Sequence, residues 1–432
     1  MSRSPIPVHN TMWRAEPKPL PLTILLTLAL ALSSWPCALA SDNNGGKPLV
    51  TPITKDASTS LYTIPIKDSH LPLVLDLAGP LIWSCCEASH PTFALYDCEC
   101  TEAGRHTPAR CWSNAGDQGQ PEHSGKSFAD NRCVAHRYDP ATGKCAAGDL
   151  SRTQLSANAT DGRTPLYPVS FSAVSACSPD TLRASLPAGA AGVAGLSRSE
   201  LALPAQVAST QNVAKTFALC LPSGGQGAAI FGGGPFSLLL PWLSDMAPAP
   251  VVPLQRSSDL SDGYYIKAKG ISVNQQPVPL NVNELIVELS TTAPYTALRH
   301  DVYHALVHAY DHATSGIARI TPAPAPFELC YDVQQLWITR VGPSVPAIEL
   351  ALEGGATWTM FGANSLVLVN DQAACLAFVE MKQAAADGPT PAVVMGGHQL
   401  EDNLLVFDLE KGKLGFSGLL LGRQTSCGNN FL

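Results

Sequence analysis

Short apolar runs that alternate with polar residues and stop at glycine, proline, asparagine or serine set the tightest limit on this chain. SLYTIPIKD, LPLVLDLAG, YPVSFSAV, FALCLP, YYIKAKGISVN, ELIVELSTT, SLVLVN, CLAFVEM and LLVFDLEKGKLGFSG recur from Ser60 to Gly418. An apolar residue at every second position gives a strand one face for a core and one for water. The terminators end each run before it can grow into a long helix. With 34 glycines, 36 prolines and only 14% charged residues, the composition agrees with a turn-rich β protein. DLEKGKLGF predicts a hairpin with Gly412 in the turn. Two stretches read as helices instead: SELALPAQVAST, and LRHDVYHALVHAYDHA with Val302, Leu306, Val307 and Tyr310 at helical spacing. The expected fold class is all-β with a few short helices.

The N-terminus reads as a secretory signal. PLTILLTLALALSS follows Arg14 and Lys18 and precedes Ala38-Leu39-Ala40, a small-x-small cleavage pattern. The run is shorter than the roughly 20 residues of a spanning helix, so residues 1–40 are expected to be removed and the protein to be extracellular, with no membrane partner. Twelve of the 13 cysteines follow residue 40, an even set that reads as up to six disulfides. No pair has zinc spacing. The sequon Asn158-Ala159-Thr160 predicts a glycosylated surface loop. About 390 remaining residues exceed one typical core, so two lobes are expected. The glycine-rich AIFGGGPF suits their boundary, giving an N-terminal lobe of residues 41–235 and a C-terminal lobe of residues 236–432.

A net charge of −8 gives no basis for nucleic-acid binding. No cofactor is expected: FGGGPF lacks the lysine of a phosphate loop, and GLSRSE is not a nucleophile elbow. His300, His304, His308 and His312 recur every fourth residue, a spacing that can hold a metal. They are read as a solvated helix face opposite Val302 and Leu306, with no metal ligand expected. His398 is read as a core or rim residue.

LVLDLAGPLIWS delivers a lone carboxylate, Asp76, from an apolar strand into a turn at Gly79. Pepsin-like proteases carry Asp-Thr-Gly or Asp-Ser-Gly at such a place; here Leu77 and Ala78 intervene. A weak repeat supports the comparison. Asp76–Gly79 is followed by Gly192-Val193-Ala194-Gly195-Leu196, and Leu289-Ser290-Thr291 by Val393-Val394-Met395-Gly396-Gly397. Peptide hydrolysis of this type needs two carboxylates sharing a proton. The second half offers Ser290, whose hydroxyl cannot replace an acid. Asp76 and Ser290 therefore read as vestigial, and the chain as no enzyme.

Longer segments make the resemblance specific. LVLDLAGPLIWS, YDPATGKCAAGDL, LSANATDG, LPAGAAGVAGLSRSELALPAQVAS, AIFGGGP, LSTTAPY, FVEMK and GGHQLEDNLLVFDLEKGKLGFS resemble the TAXI-type xylanase inhibitors of cereal grain. The resemblance implies a bilobal pepsin-like fold without protease activity. It also implies a 1:1 complex of the monomer with a microbial retaining xylanase of glycoside hydrolase family 11, whose two cleft carboxylates lie about 5 Å apart. It further implies the bridges Cys330–Cys375 and Cys220–Cys427. In the family a C-terminal loop places a histidine between those carboxylates, and a leucine fills a sugar subsite. Here LGRQTSC puts Arg423 in the histidine's place and Gly422 in that of a proline, while LSTTAPY puts Ala293 in the leucine's place. The implied contact residues are Leu419, Leu420, Leu421, Arg423 and Gln424 on the loop and Thr292, Ala293, Pro294 and Tyr295 on the second segment. A guanidinium can pair with carboxylates, and the three leucines offer apolar surface for a subsite. The alternatives are an inhibitor of another glycoside hydrolase such as a glucanase, or a non-inhibitory extracellular relative. An active aspartic protease is disfavoured by Ser290.

Overall fold

The structure, a computed structural model, describes residues 46–67, 70–106, 111, 126–127, 131–161, 166–234, 250–256, 261–382 and 391–428. The expected signal peptide and the expected lobe boundary fall outside them.

The alternating runs form strands, and the strands build two large sheets. Among the described residues the larger has fourteen strands and the smaller eight. The larger belongs mainly to the first half, with three strands of the second half at one edge: Leu404–Asp408, Lys413–Phe416 and Val251–Pro253. They join it where Thr216–Cys220 pairs antiparallel with Leu404–Asp408, Phe217 opposite Phe407 and Leu219 opposite Leu405. The Phe217 and Phe407 rings stack at 4.6 Å, and Tyr264 leans on Phe407 at 4.6 Å. All three rings are buried, so the seam between the halves is itself a hydrophobic core.

The repeat read from the sequence is a pair of matching strand arrangements. Leu71–Asp76 runs parallel to Gly192–Gly195 with Asp76 opposite Gly195. Leu285–Leu289 runs parallel to Val393–Met395 with Leu289 opposite Met395. A Cβ on Gly195 would lie 2.4 Å from the Gly79 carbonyl oxygen, so the two strands can close below Asp76 only with glycine there. The expected hairpin forms between Leu404–Asp408 and Lys413–Phe416, with Gly412 at φ +61°.

Both expected helices are present. Leu203–Gln211 has proline in its first turn and ends on Asn212 in the left-handed conformation. His300–Ala313 buries Val302, Tyr303, Leu306 and Tyr310, while Val307 is half-buried. Five disulfides are described, including the two implied by the resemblance, Cys220–Cys427 and Cys330–Cys375. The others are Cys86–Cys177, Cys100–Cys133 and Cys111–Cys145. Cys85, beside Cys86, is a free thiol. No described helix is long and apolar enough to cross a membrane.

The sequon departs from expectation. Asn158 is not in a loop but near the end of the strand Cys145–Ala159, opposite Pro168 on one side and Val50 on the other. The strand runs past the sequon because Tyr167–Cys177 offers a partner to each residue from Leu150 to Ala159. Asn158 itself is half-buried.

Candidate functional site

The Asp76 carboxylate is buried and held on two sides. Its Oδ2 accepts a hydrogen bond from the Tyr138 hydroxyl at 2.8 Å, and its Oδ1 accepts from the Ala78 N–H at 3.0 Å. Tyr138 ends the strand Arg132–Tyr138, which forms a hairpin with Cys145–Ala159 and reaches over Asp76. Asp139, next in the chain, accepts from the Ala141 N–H and from the hydroxyls of Thr142 and Ser185, which fixes the tip of that hairpin.

On the opposite side, Ser290 follows the strand Leu285–Leu289, and its N–H donates to the Met395 carbonyl at 2.9 Å. In the first half the bond runs the other way, the Leu196 N–H donating to the Asp76 carbonyl at 2.8 Å. The Ser290 hydroxyl is engaged in its own turn, accepting from the N–H groups of Thr292 and Ala293. Thr291 carries the link between the halves. Its hydroxyl donates to the Leu75 carbonyl at 2.7 Å and accepts from the Leu77 N–H at 3.2 Å. Leu77 cannot return the favour, because its side chain is packed in the core. The link between the halves therefore has a hydroxyl on the Thr291 side and an apolar side chain on the Leu77 side.

The C-terminal loop is a single 3₁₀ turn, Leu420–Arg423, ending on Gln424 at φ +61°. Asp402 seats it. The Asp402 carbonyl accepts from the Leu420 N–H at 2.8 Å, Oδ1 from the Cys427 N–H at 2.8 Å, and Oδ2 from the Ser223 hydroxyl at 2.6 Å. Burial pushes the Asp402 carboxyl above its ordinary value, against the two hydrogen bonds that lower it. The neighbouring Glu401 accepts from the Tyr62 hydroxyl at 2.6 Å and pairs with Lys55 at 2.6 Å. Burial would raise the Glu401 carboxyl, but His398 and Lys55 together hold it below the usual range.

This seating corrects part of the expected contact set. Leu420 is 1% exposed and packs with Val50, Ala218, Ile230, Leu404 and the Cys220–Cys427 bridge. Leu419 is buried as well. A 3₁₀ turn has about three residues per turn, so three consecutive leucines cannot all face outward. Leu421 is half-buried, and Gly422, Arg423 and Gln424 are exposed.

The second expected segment leans on the same support. The Ala293 carbonyl accepts from the Gly397 N–H and the Pro294 carbonyl from the His398 N–H. Tyr295 packs edge-on against Phe327 at 5.0 Å and His398 at 6.1 Å. Pro294 is exposed; Thr292, Ala293 and Tyr295 are half-buried. Residues 397–402 therefore carry both segments, and His398 is an inner residue of that support, bonded to the Leu366 carbonyl.

Beside the loop stands a hairpin that sequence reasoning missed. Ile338–Thr339 pairs with Gly342–Pro343, and Arg340 donates to the Gly422 carbonyl at 3.3 Å. Trp337 is 84% and Ile338 73% exposed. The two side chains place adjacent apolar surface beside the turn. Their only signal in the sequence is the apolar pair in QQLWITR, which reads equally well as a strand.

The chain matches two family models, "Xylanase inhibitor N-terminal" over residues 62–233 and "Xylanase inhibitor C-terminal" over residues 263–418. It belongs to the TAXi xylanase-inhibitor family. A rice protein (Oryza sativa subsp. japonica) named chitinase CLP is 54% identical over 403 residues, covering 91% of this chain and 94% of its own. A Nicotiana benthamiana protein named probable aspartic proteinase GIP2 is 32% identical over 89% of this chain and 91% of its own. The crystal structure of the protein edgp aligns at TM-score 0.73 with 28% identity, over 90% of this chain and 99% of that one. That of soybean basic 7S globulin aligns at 0.71 with 25% identity, over 89% and 98%. The fold is the bilobal pepsin-like one. In this TAXi chain the matched region stops at residue 418, so the Leu420–Arg423 turn lies just beyond it.

Proposed function

We propose that this protein is a secreted, non-catalytic inhibitor of a microbial retaining glycoside hydrolase, a family 11 endo-1,4-β-xylanase, acting in plant defence. The observation that carries the reading is the exposed Arg423 on a turn fixed at both ends, by Asp402 and by the Cys220–Cys427 bridge, beside the exposed Trp337 and Ile338. A pre-formed cationic tip loses little freedom on binding. A guanidinium is a two-pronged partner for the two carboxylates of a retaining cleft. Leu421, Pro294 and Trp337 supply apolar contact around it, and Ala293 leaves room where the family has a leucine.

The site at Asp76 supports a reading without proteolysis. Ser290 stands where a second acid is needed, and the Tyr138 hydroxyl covers the remaining carboxylate. The name of the rice relative, chitinase CLP, favours a second reading, action on chitin.

The test is a titration of the purified protein, freed of residues 1–40, against a panel of fungal and bacterial family 11 xylanases. A family 10 xylanase, a family 12 glucanase and a colloidal-chitin assay run beside it. Inhibition of a family 11 member supports the proposal. Inhibition confined to the glucanase moves the target, chitin turnover replaces the proposal with the second reading, and silence throughout makes the protein a non-inhibitory extracellular relative.

A further inference from the structure

We propose that His300, His304 and Glu380 form a surface site for a divalent transition-metal ion, zinc foremost. The register of the smaller sheet creates it. Thr296–Leu298 pairs parallel with Phe378–Glu380, placing Glu380 opposite Leu298, and the helix His300–Ala313 begins two residues later. The Glu380 carboxylate is thereby laid at the foot of the helix, against the face that shows His300 and His304 one turn apart.

The three side chains already meet. Glu380 Oε1 lies 2.5 Å from His300 Nδ1, and Oε2 lies 3.9 Å from His304 Nε2. The two imidazole rings are 4.4 Å apart, and the three donor atoms all lie within 4.8 Å of one another. Two imidazole nitrogens and one carboxylate oxygen at about 2.0–2.2 Å from an ion are a known zinc donor set, with a fourth position left for water. All three residues are exposed, so bringing the donors onto an ion asks for side-chain rotation and no movement of the backbone.

The surrounding charges are compatible with a cation. Arg299 is held by a two-pronged bond to Asp301, which neutralises it. The positive end of the helix dipole opposes an ion here by well under the strength of one carboxylate. His308 and His312 lie further along the same helix, but the described residues place no third donor with them.

The experiment is equilibrium dialysis of the tag-free protein against zinc chloride, with cobalt(II) absorption as a second reading of the donor set. One zinc per chain is expected, with visible cobalt bands of a low-coordinate ion. His304→Ala and Glu380→Gln should each weaken uptake more than about tenfold, while His308→Ala leaves it unchanged. Circular dichroism checks that each variant is folded. Absence of uptake by the folded wild type overturns the proposal. So does uptake that ignores Glu380→Gln, or that falls as far with His308→Ala as with His304→Ala.

Discussion

The hydroxyl of Thr291 donates to the carbonyl of Leu75 at 2.7 Å, across 216 residues of sequence. The same oxygen accepts from the Leu77 N–H, so one side chain clasps the backbone on both sides of Asp76. The Thr291 hydroxyl thereby ties the turn of one matching strand arrangement to that of the other.

Thr291→Val keeps the shape and removes the clasp. It leaves a buried carbonyl and a buried N–H unsatisfied, at a cost of about 1–3 kcal/mol. Chemical denaturation of the two proteins checks this, and an unchanged midpoint would mean that the surrounding sheet alone holds the Asp76 turn.

Leu420 and Leu421 should behave as opposites. Leu420→Ala empties a packed site and should destabilise by about 2–4 kcal/mol, with Leu421→Ala near neutral. Thermal melts of both variants decide it. Equal losses would mean that the turn is seated differently.

On any xylanase that the protein inhibits, Arg423→Ala should weaken inhibition between severalfold and about a thousandfold. Trp337→Ala should cost about ten- to a hundredfold if the tryptophan is an anchor. Inhibition constants for both variants test the proposed surface. A full-strength Arg423→Ala variant would shift the contact to the apolar residues. Because arginine stays charged, inhibition should weaken only as the enzyme's own carboxylates protonate.

His106 makes stability depend on pH. It bridges Glu102 at 2.9 Å and Asp262 at 2.5 Å, joining the helix Cys98–Arg105 to the start of the second half. Burial lowers its pKa, but the two carboxylates outweigh burial and raise it, while the bond from His106 lowers that of Asp262. A raised histidine contributes fully below its unfolded value and is lost as pH rises through the folded one. A lowered carboxylate contributes above its unfolded value and is lost as pH falls through the folded one. The clasp is therefore strongest between about pH 4 and 6.5. Melting temperatures should fall as pH rises beyond that window, and His106→Gln should flatten the fall.

Much of the frame was legible in the chain because it rests on local rules. Alternation marked the strands, Gly412 marked the hairpin, and glycine after an apolar strand marked both halves of the repeat. The resemblance supplied the two bridges found at Cys330–Cys375 and Cys220–Cys427. What stayed hidden depends on phase or on distance. Three consecutive leucines announce an apolar turn but not which of them faces inward. The anchoring of that turn by Asp402, the reach of Tyr138 to Asp76, and the meeting of Glu380 with His300 join residues 18 to 80 positions apart. No local pattern encodes these contacts. The sequon misled for a related reason: its tripeptide says nothing of the neighbouring strands that pair with Asn158.

The bridge between Cys220 and Cys427 also bears on how the molecule responds to being cut. It joins two residues 207 positions apart and closes the chain between them into a ring. A protease that nicks any peptide bond inside the ring leaves two pieces still joined by sulfur, and still paired edge to edge where Thr216–Cys220 meets Leu404–Asp408. Such a nicked protein would run as one species until a reductant is added, and only then as two.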